Sequence, residues 1–116
     1  MPDIVGSSTI KLQPETVNYP VSFEFSVCSA QDANDGNIPY GDTLSSAEVK
    51  AYTPDGTDET SSLVTGAETV NGNTVSCAIS YYSGIPDGKH KLTVIYTCAS
   101  GYVDEIDAAR VFVEDR

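Results

Sequence analysis

Few side chains in this 116-residue chain are suited to chemistry, and their spacing limits what they can do. His90 is the single histidine. A general base needs a nucleophile or an orienting carboxylate brought to it by a recognisable pattern, and no such pattern flanks His90. Cys28, Cys77 and Cys98 have neither Cys-x-x-Cys nor Cys/His spacing, so they do not read as a zinc site. Cys77 and Cys98 share parity with apolar neighbours, which predicts buried free thiols. A Cys77–Cys98 bridge between two sheets is the other arrangement open to them. Cys28 has outward parity, that of an exposed residue. The chain also lacks a phosphate-cradling glycine loop, a nucleophile elbow and a paired-carboxylate motif. No residue is assigned a catalytic or cofactor-binding role, no cofactor is expected, and the chain reads as a non-enzyme.

The one segment with metal-ligand character is Asp32-Ala-Asn-Asp-Gly-Asn37, whose calcium candidates are Asp32, Asn34 and Asp35. Asp32 and Asn34 suit the first and third positions of a calcium loop. The glycine falls one residue early, however, and no glutamate closes the loop. Asp, Asn and Gly are also ordinary turn formers, so a solvated loop without metal is the expectation. The same loop suits contact with another protein, as do exposed tyrosines; the chain has seven tyrosines in all and no tryptophan. Asp35, Asn37, Tyr40, Tyr82 and Tyr102 are the candidate interface residues.

These residues sit on strands and the turns between them. A first strand is predicted over Thr9–Leu12, ended by Gln13-Pro14-Glu15. A long second strand follows, with Val17, Tyr19, Val21, Phe23, Phe25 and Val27 on one face. Pro20 lacks the N–H a central ladder needs, which places its neighbourhood at an edge or a bulge. Ser29–Asp42 reads as a long loop. The third strand lies in Ser45–Thr53, with Ala47, Val49 and Ala51 facing in, and Thr53-Pro-Asp-Gly-Thr57 is a turn. A weak segment covers Ser62–Thr65. Asn71-Gly72 predicts a hairpin into Asn73–Tyr81, with Val75, Cys77, Ile79 and Tyr81 inward. A Pro86-Asp87-Gly88 turn opens a strict alternation with His90, Leu92, Val94, Tyr96 and Cys98 on one face. A last strand is expected near Ala108–Val113.

Seven to eight strands at short spacing, with no helical period over ten or more residues, predict an all-β antiparallel sandwich. The Gly88–Cys98 segment resembles the penultimate strand of immunoglobulin-like sandwiches. There, Asp-Gly and one residue precede a Tyr and an alternating Leu-x-Val run. His90 stands in the place of that Tyr, which gives it a structural hydrogen-bonding role. The chain is long enough for one such domain over residues 1–116, with residues 1–8 as a flexible N-terminal arm.

Seventeen Asp and Glu stand against six Lys and Arg. That field opposes a nucleic-acid backbone or an anionic membrane, so neither is an expected partner. The N-terminus lacks the basic and apolar regions of a secretion signal, and the odd cysteine count does not suit a disulfide scaffold. Release into the cytoplasm where the chain is made, without secretion, is the expectation.

Three segments together resemble a known group: Lys11–Phe23, Gly41-Asp-Thr-Leu-Ser-Ser-Ala-Glu-Val49, and Gly88–Val94 with its final strand. They are similar to the small immunoglobulin-like virion structural proteins of tailed bacteriophages, the fiber–tail adaptor or neck type. That group shows a Lys-x-x-Pro-Gly-Glu-Thr opening, a Tyr-x-Val-x-Phe strand, a Gly-Asp-Thr-Ile-Ser-Ser segment and a late Tyr-x-Leu-x-Val strand. Here the glycine after Pro14 is missing, His90 replaces the tyrosine, and Ser29–Tyr40 is longer. The resemblance implies a virion protein that joins fiber or neck components to the tail, with other virion proteins as partners and several symmetric copies. A capsid decoration protein, and a module binding a host surface protein or glycan, are the alternatives.

Overall fold

The computed structural model describes residues 5–6 and 9–113. Eight strands and one helical turn follow in chain order. They are β1 (Val5–Gly6), β2 (Thr9–Leu12), β3 (Tyr19–Glu24), β4 (Leu44–Tyr52), α1 (Thr60–Leu63), β5 (Val64–Asn71), β6 (Thr74–Ile79), β7 (Gly88–Cys98) and β8 (Val103–Val113). One sheet has the order β1-β3-β6-β5 and the other β2-β8-β7-β4. This is the immunoglobulin-like arrangement, in which the first strand is divided between the sheets and the second, fifth and fourth strands share one of them. The sandwich is antiparallel as expected, with one parallel pairing, that of the short β2 with β8.

The alternation in β7 holds: His90, Leu92, Val94, Tyr96 and Cys98 are all buried, with Tyr96 wholly inaccessible at the centre of the core. From the facing sheet, Val21, Phe23, Val75, Cys77 and Ile79 close over them. The register shifts in the β4–β7, β5–β6 and β7–β8 pairings, and two of these bulges decide which residues face the core. One between Leu44 and Ser46 lets Leu44 face inward with Val49 and Ala51 despite their opposite parity. The other, at Leu92/Thr93, buries both Ala108 and Ala109.

Several expectations need correction. The second strand runs only from Tyr19 to Glu24, and Val17, Tyr19 and Val27 are exposed. Pro20 does lie at an edge as expected: it pairs in register with Ala78, while β1 reaches only Phe23 and Glu24, so among the described residues Pro20 has a strand on one side. The Ser62–Thr65 segment divides between α1 and the start of β5. In the hairpin, Asn71 pairs with Thr74, so the turn residues are Gly72 and Asn73, and Gly72 takes φ 62. The last strand begins at Val103, five residues before the expected Ala108. Of the expected N-terminal arm, Val5–Gly6 pairs with β3, and the remainder of residues 1–8 lies outside the described residues.

The free edge of β4 has a backbone bridge from Tyr52 to Asp58 and the Glu59 N–H on the Ala51 carbonyl, and is otherwise covered by side chains. The Val49 N–H donates to Glu68 Oε2 (3.0 Å), and the Ala51 N–H donates to Thr60 Oγ1 (3.0 Å). Side chains from β5 and α1 thus occupy donors that another strand would use.

Candidate functional site

The loop from Phe25 to Thr43 crosses from β3 to β4 at one end of the sandwich, beside the β7–β8 turn. It is folded back on itself, for reasons its own residues supply. Phe25 and Ile38 are apolar and buried, so both arms must return to the core. Val27 and Ile38 form a parallel bridge, and the Cys28 N–H donates to the Ile38 carbonyl at 2.7 Å. The Ser26 carbonyl accepts from the N–H groups of Asn37 and Ile38. Gly36 sits where the arms touch: a Cβ there would lie 2.6 Å from the Cys28 nitrogen. No other residue type fits without moving backbone.

The core holds this loop from beneath. The Tyr96 hydroxyl donates to the Asn37 carbonyl at 2.5 Å, and the Phe25 and Tyr96 rings are tilted with centroids 4.7 Å apart. Burial first, and then the nearby Asp104 charge, raise the Tyr96 hydroxyl above the ordinary tyrosine value, so it remains a donor. At the loop exit, Asp42 accepts from the Thr43 N–H (2.9 Å), the Ser100 N–H (3.1 Å) and the Ser100 hydroxyl. The Ala99 N–H donates to the Thr43 carbonyl, which fastens the loop to the β7–β8 turn. The Ser100 hydroxyl bond, more than any other, holds the Asp42 carboxyl below the usual carboxylate range.

Between the loop and the turn lies an open, mainly apolar cleft of about 320 Å³, lined by Cys28, Ala30, Ala33, Pro39, Tyr40 and Tyr102 among others. Tyr40 stands at it 68% exposed. Tyr102 is half-buried, its ring tilted against that of Tyr96 with centroids 6.2 Å apart, and it donates its hydroxyl to Asp104 at 3.0 Å. The cleft can receive an apolar or aromatic side chain, with an aromatic rim to cover it.

The candidate residues fare differently. Tyr40, Tyr102 and Asp35 come to this end, with Asp35 exposed. Asn37 is buried, and its side chain accepts from the Ser26 N–H and hydroxyl, both at 3.1 Å; it shapes the loop instead of presenting a contact. Tyr82 belongs to the β6–β7 connection at the opposite end. It is half-buried, and its hydroxyl has no partner among the described residues. Of the calcium candidates, Asp32 Oδ1 accepts from the Asn34 N–H (2.9 Å) and Asp35 Oδ1 from the Ser29 N–H (2.8 Å). That Ser29 backbone bond is the main reason the Asp35 carboxyl is held low. Both carboxylates serve the loop's backbone, and among the described residues no three His, Cys, Asp or Glu side chains group as metal ligands.

Cys28 is buried, contrary to its parity, because the chain has already left β3; its thiol donates to the Ala33 carbonyl at 3.2 Å. All three cysteines are free thiols. His90 Nε2 lies 2.8 Å from the Pro86 carbonyl, the bond back to upstream backbone that a corner tyrosine supplies in such sandwiches. Asp42 and Tyr96 carry the loop's geometry, yet the sequence marks them only as a turn residue and a core residue. The Gly41-Asp42 pair just before a strand, with Gly41 at φ 79, is the local signal that a special turn is built there. No protein-family model matches the chain, and no curated protein does.

Proposed function

We propose that the protein is a non-enzymatic structural component of a tailed-phage virion, joining fiber or neck parts to the tail through protein–protein contacts. The observation that carries this reading is the apolar cleft with its exposed Tyr40, on a loop the core holds in shape. An anchor pocket with an aromatic rim, already ordered before binding, is suited to permanent docking between proteins. The segment resemblance supplies the setting. Gly41-Asp-Thr-Leu-Ser-Ser46, its most distinctive part, is the stretch that pins this loop to the neighbouring turn.

The test is gold labelling of the protein on purified phage particles, imaged by electron microscopy, with wild type and Tyr40→Asp in parallel. Label at the neck or along the tail, lost in the variant, is expected. Label scattered over the head would replace this reading with capsid decoration. Protein found on host cells and absent from particles would replace it with a surface-binding module. Tail label that Tyr40→Asp leaves unchanged would remove the cleft from the contact.

A further inference from the structure

In a chain of net charge −11, every Lys and Arg among the described residues lies on the outer face of one sheet. Strand register sets them in rows. Lys11, Phe112 and Lys89 form one row across β2, β8 and β7. The next holds Thr9, Arg110, Lys91 and Tyr52. Asp107, Thr93 and Lys50 follow, then Glu105, Ile95 and Glu48, and last Val103, Thr97 and Ser46. Lys11, Lys89, Arg110 and Lys91 thus stand toward one end of the face and Glu105 and Glu48 toward the other, with Asp107 and Lys50 in the row between. Two exposed apolar side chains, Phe112 (37%) and Val103 (56%), mark its opposite ends on β8.

We infer that this face binds a second copy of the same chain, face to face, about a two-fold axis perpendicular to the strands. The charge pattern selects that axis. A two-fold parallel to the strands would lay the basic rows on one another. The perpendicular axis turns one copy end for end and sets the row of Arg110 and Lys91 against the row of Glu105 and Glu48, while on β4 Lys50 meets the partner's Lys50. On β8, Arg110 then meets the partner's Glu105, and Phe112 meets the partner's Val103. Each contact occurs twice. Asp107, nearest the axis, is already held by Lys91 (3.9 Å) and Arg110 (3.4 Å), so the two copies' carboxylates meet neutralised.

Three strands of nine to eleven residues and the four-residue β2, about 4.8 Å apart with about 3.3 Å per residue, give a face on the order of 550 Å² per copy. The total, about 1,100 Å², falls just under the range of standard stable interfaces, which suits association at micromolar concentration or above. Lys89 over the Phe112 ring (5.6 Å) and Lys91 over Tyr52 (5.7 Å) hold the cations flat against this face. The surface is separate from the cleft at the loop end, so the two readings stand or fall independently.

Sedimentation equilibrium of the full chain, at micromolar to millimolar concentration and moderate salt, tests this. A species of twice the 12.3 kDa monomer is expected. Arg110→Glu and Glu105→Arg should each weaken association by about tenfold or more, because every reversal creates two like-charge contacts. The double reversal should restore association, with circular dichroism confirming the fold of each variant. A monomer at all concentrations overturns the inference. So does a dimer indifferent to the single reversals, or a double reversal that stays monomeric.

Discussion

The Tyr96 hydroxyl donates to the main-chain carbonyl of Asn37, so the ring that fills the centre of the core also sets the height of the docking loop. Fold and candidate site share a side chain. Tyr96→Phe keeps the packing and removes the donor, leaving a buried carbonyl short of a partner. A loss of about 1–3 kcal/mol is expected in denaturant unfolding. Amide exchange should rise selectively across Phe25–Thr43. Uniform exchange across both sheets would show that the bond does not hold the loop in particular.

Glu15 occupies a left-handed conformation, φ 73, in a turn closed by the Thr16 N–H to Gln13 carbonyl bond, with Pro14 before it. Proline followed by positive φ is the type II pattern, whose third position favours glycine. Glu15→Gly should therefore stabilise the protein by about 0.5–1 kcal/mol, after allowing for the freedom glycine gains when unfolded. A lower melting temperature for the variant would contradict the strain.

Asp35, Asp42, Asp55 and Asp58 all have carboxyls held below the ordinary value, each mainly by hydrogen bonds from nearby serine or threonine groups. Groups depressed in the folded state contribute stability that is fully present above the unfolded value, about 3.9. That contribution is lost as pH falls through the folded values. Unfolding midpoints should be flat near neutrality and drop below about pH 4. Asp42→Asn should cost stability at pH 7 and little at pH 2; an equal cost at both would remove Asp42 ionisation from the effect.

Burial, with the Glu68 charge second, pushes the Cys77 thiol up to about 11, and burial followed by Asp42 raises Cys98. Cys28 is buried as well. A thiol reagent at pH 7.5 should find no rapidly reacting cysteine in the native protein and three after denaturation. Fast native labelling of Cys77 or Cys98 would contradict their place in the core.

The sandwich was legible because β6 and β7 keep buried residues at every second position and their turns carry glycine where φ is positive. Parity failed where no strand exists to give it meaning. Val17 and Val27 share the odd positions of Val21 and Phe23 but lie beyond the ends of β3, and Cys28 belongs to a loop. At the site, Tyr40 and Tyr102 were readable as exposed or half-exposed aromatics. The buried role of Asn37 was not, because it depends on Ser26 and Tyr96, the latter 59 residues away. The basic face was equally hidden. Alternation turns Lys11, Lys50, Lys89 and Lys91 outward, but only strand order shows that they are neighbours.

With the Val49 and Ala51 N–H groups answered by Glu68 and Thr60, the margin of β4 offers an arriving strand no ladder at those positions. Crowded copies of the molecule can stand shoulder to shoulder along this margin without zippering into a continuous sheet. Recognition is left to the faces and loops, where side chains choose the neighbour, and away from main chain, which would accept almost any neighbour.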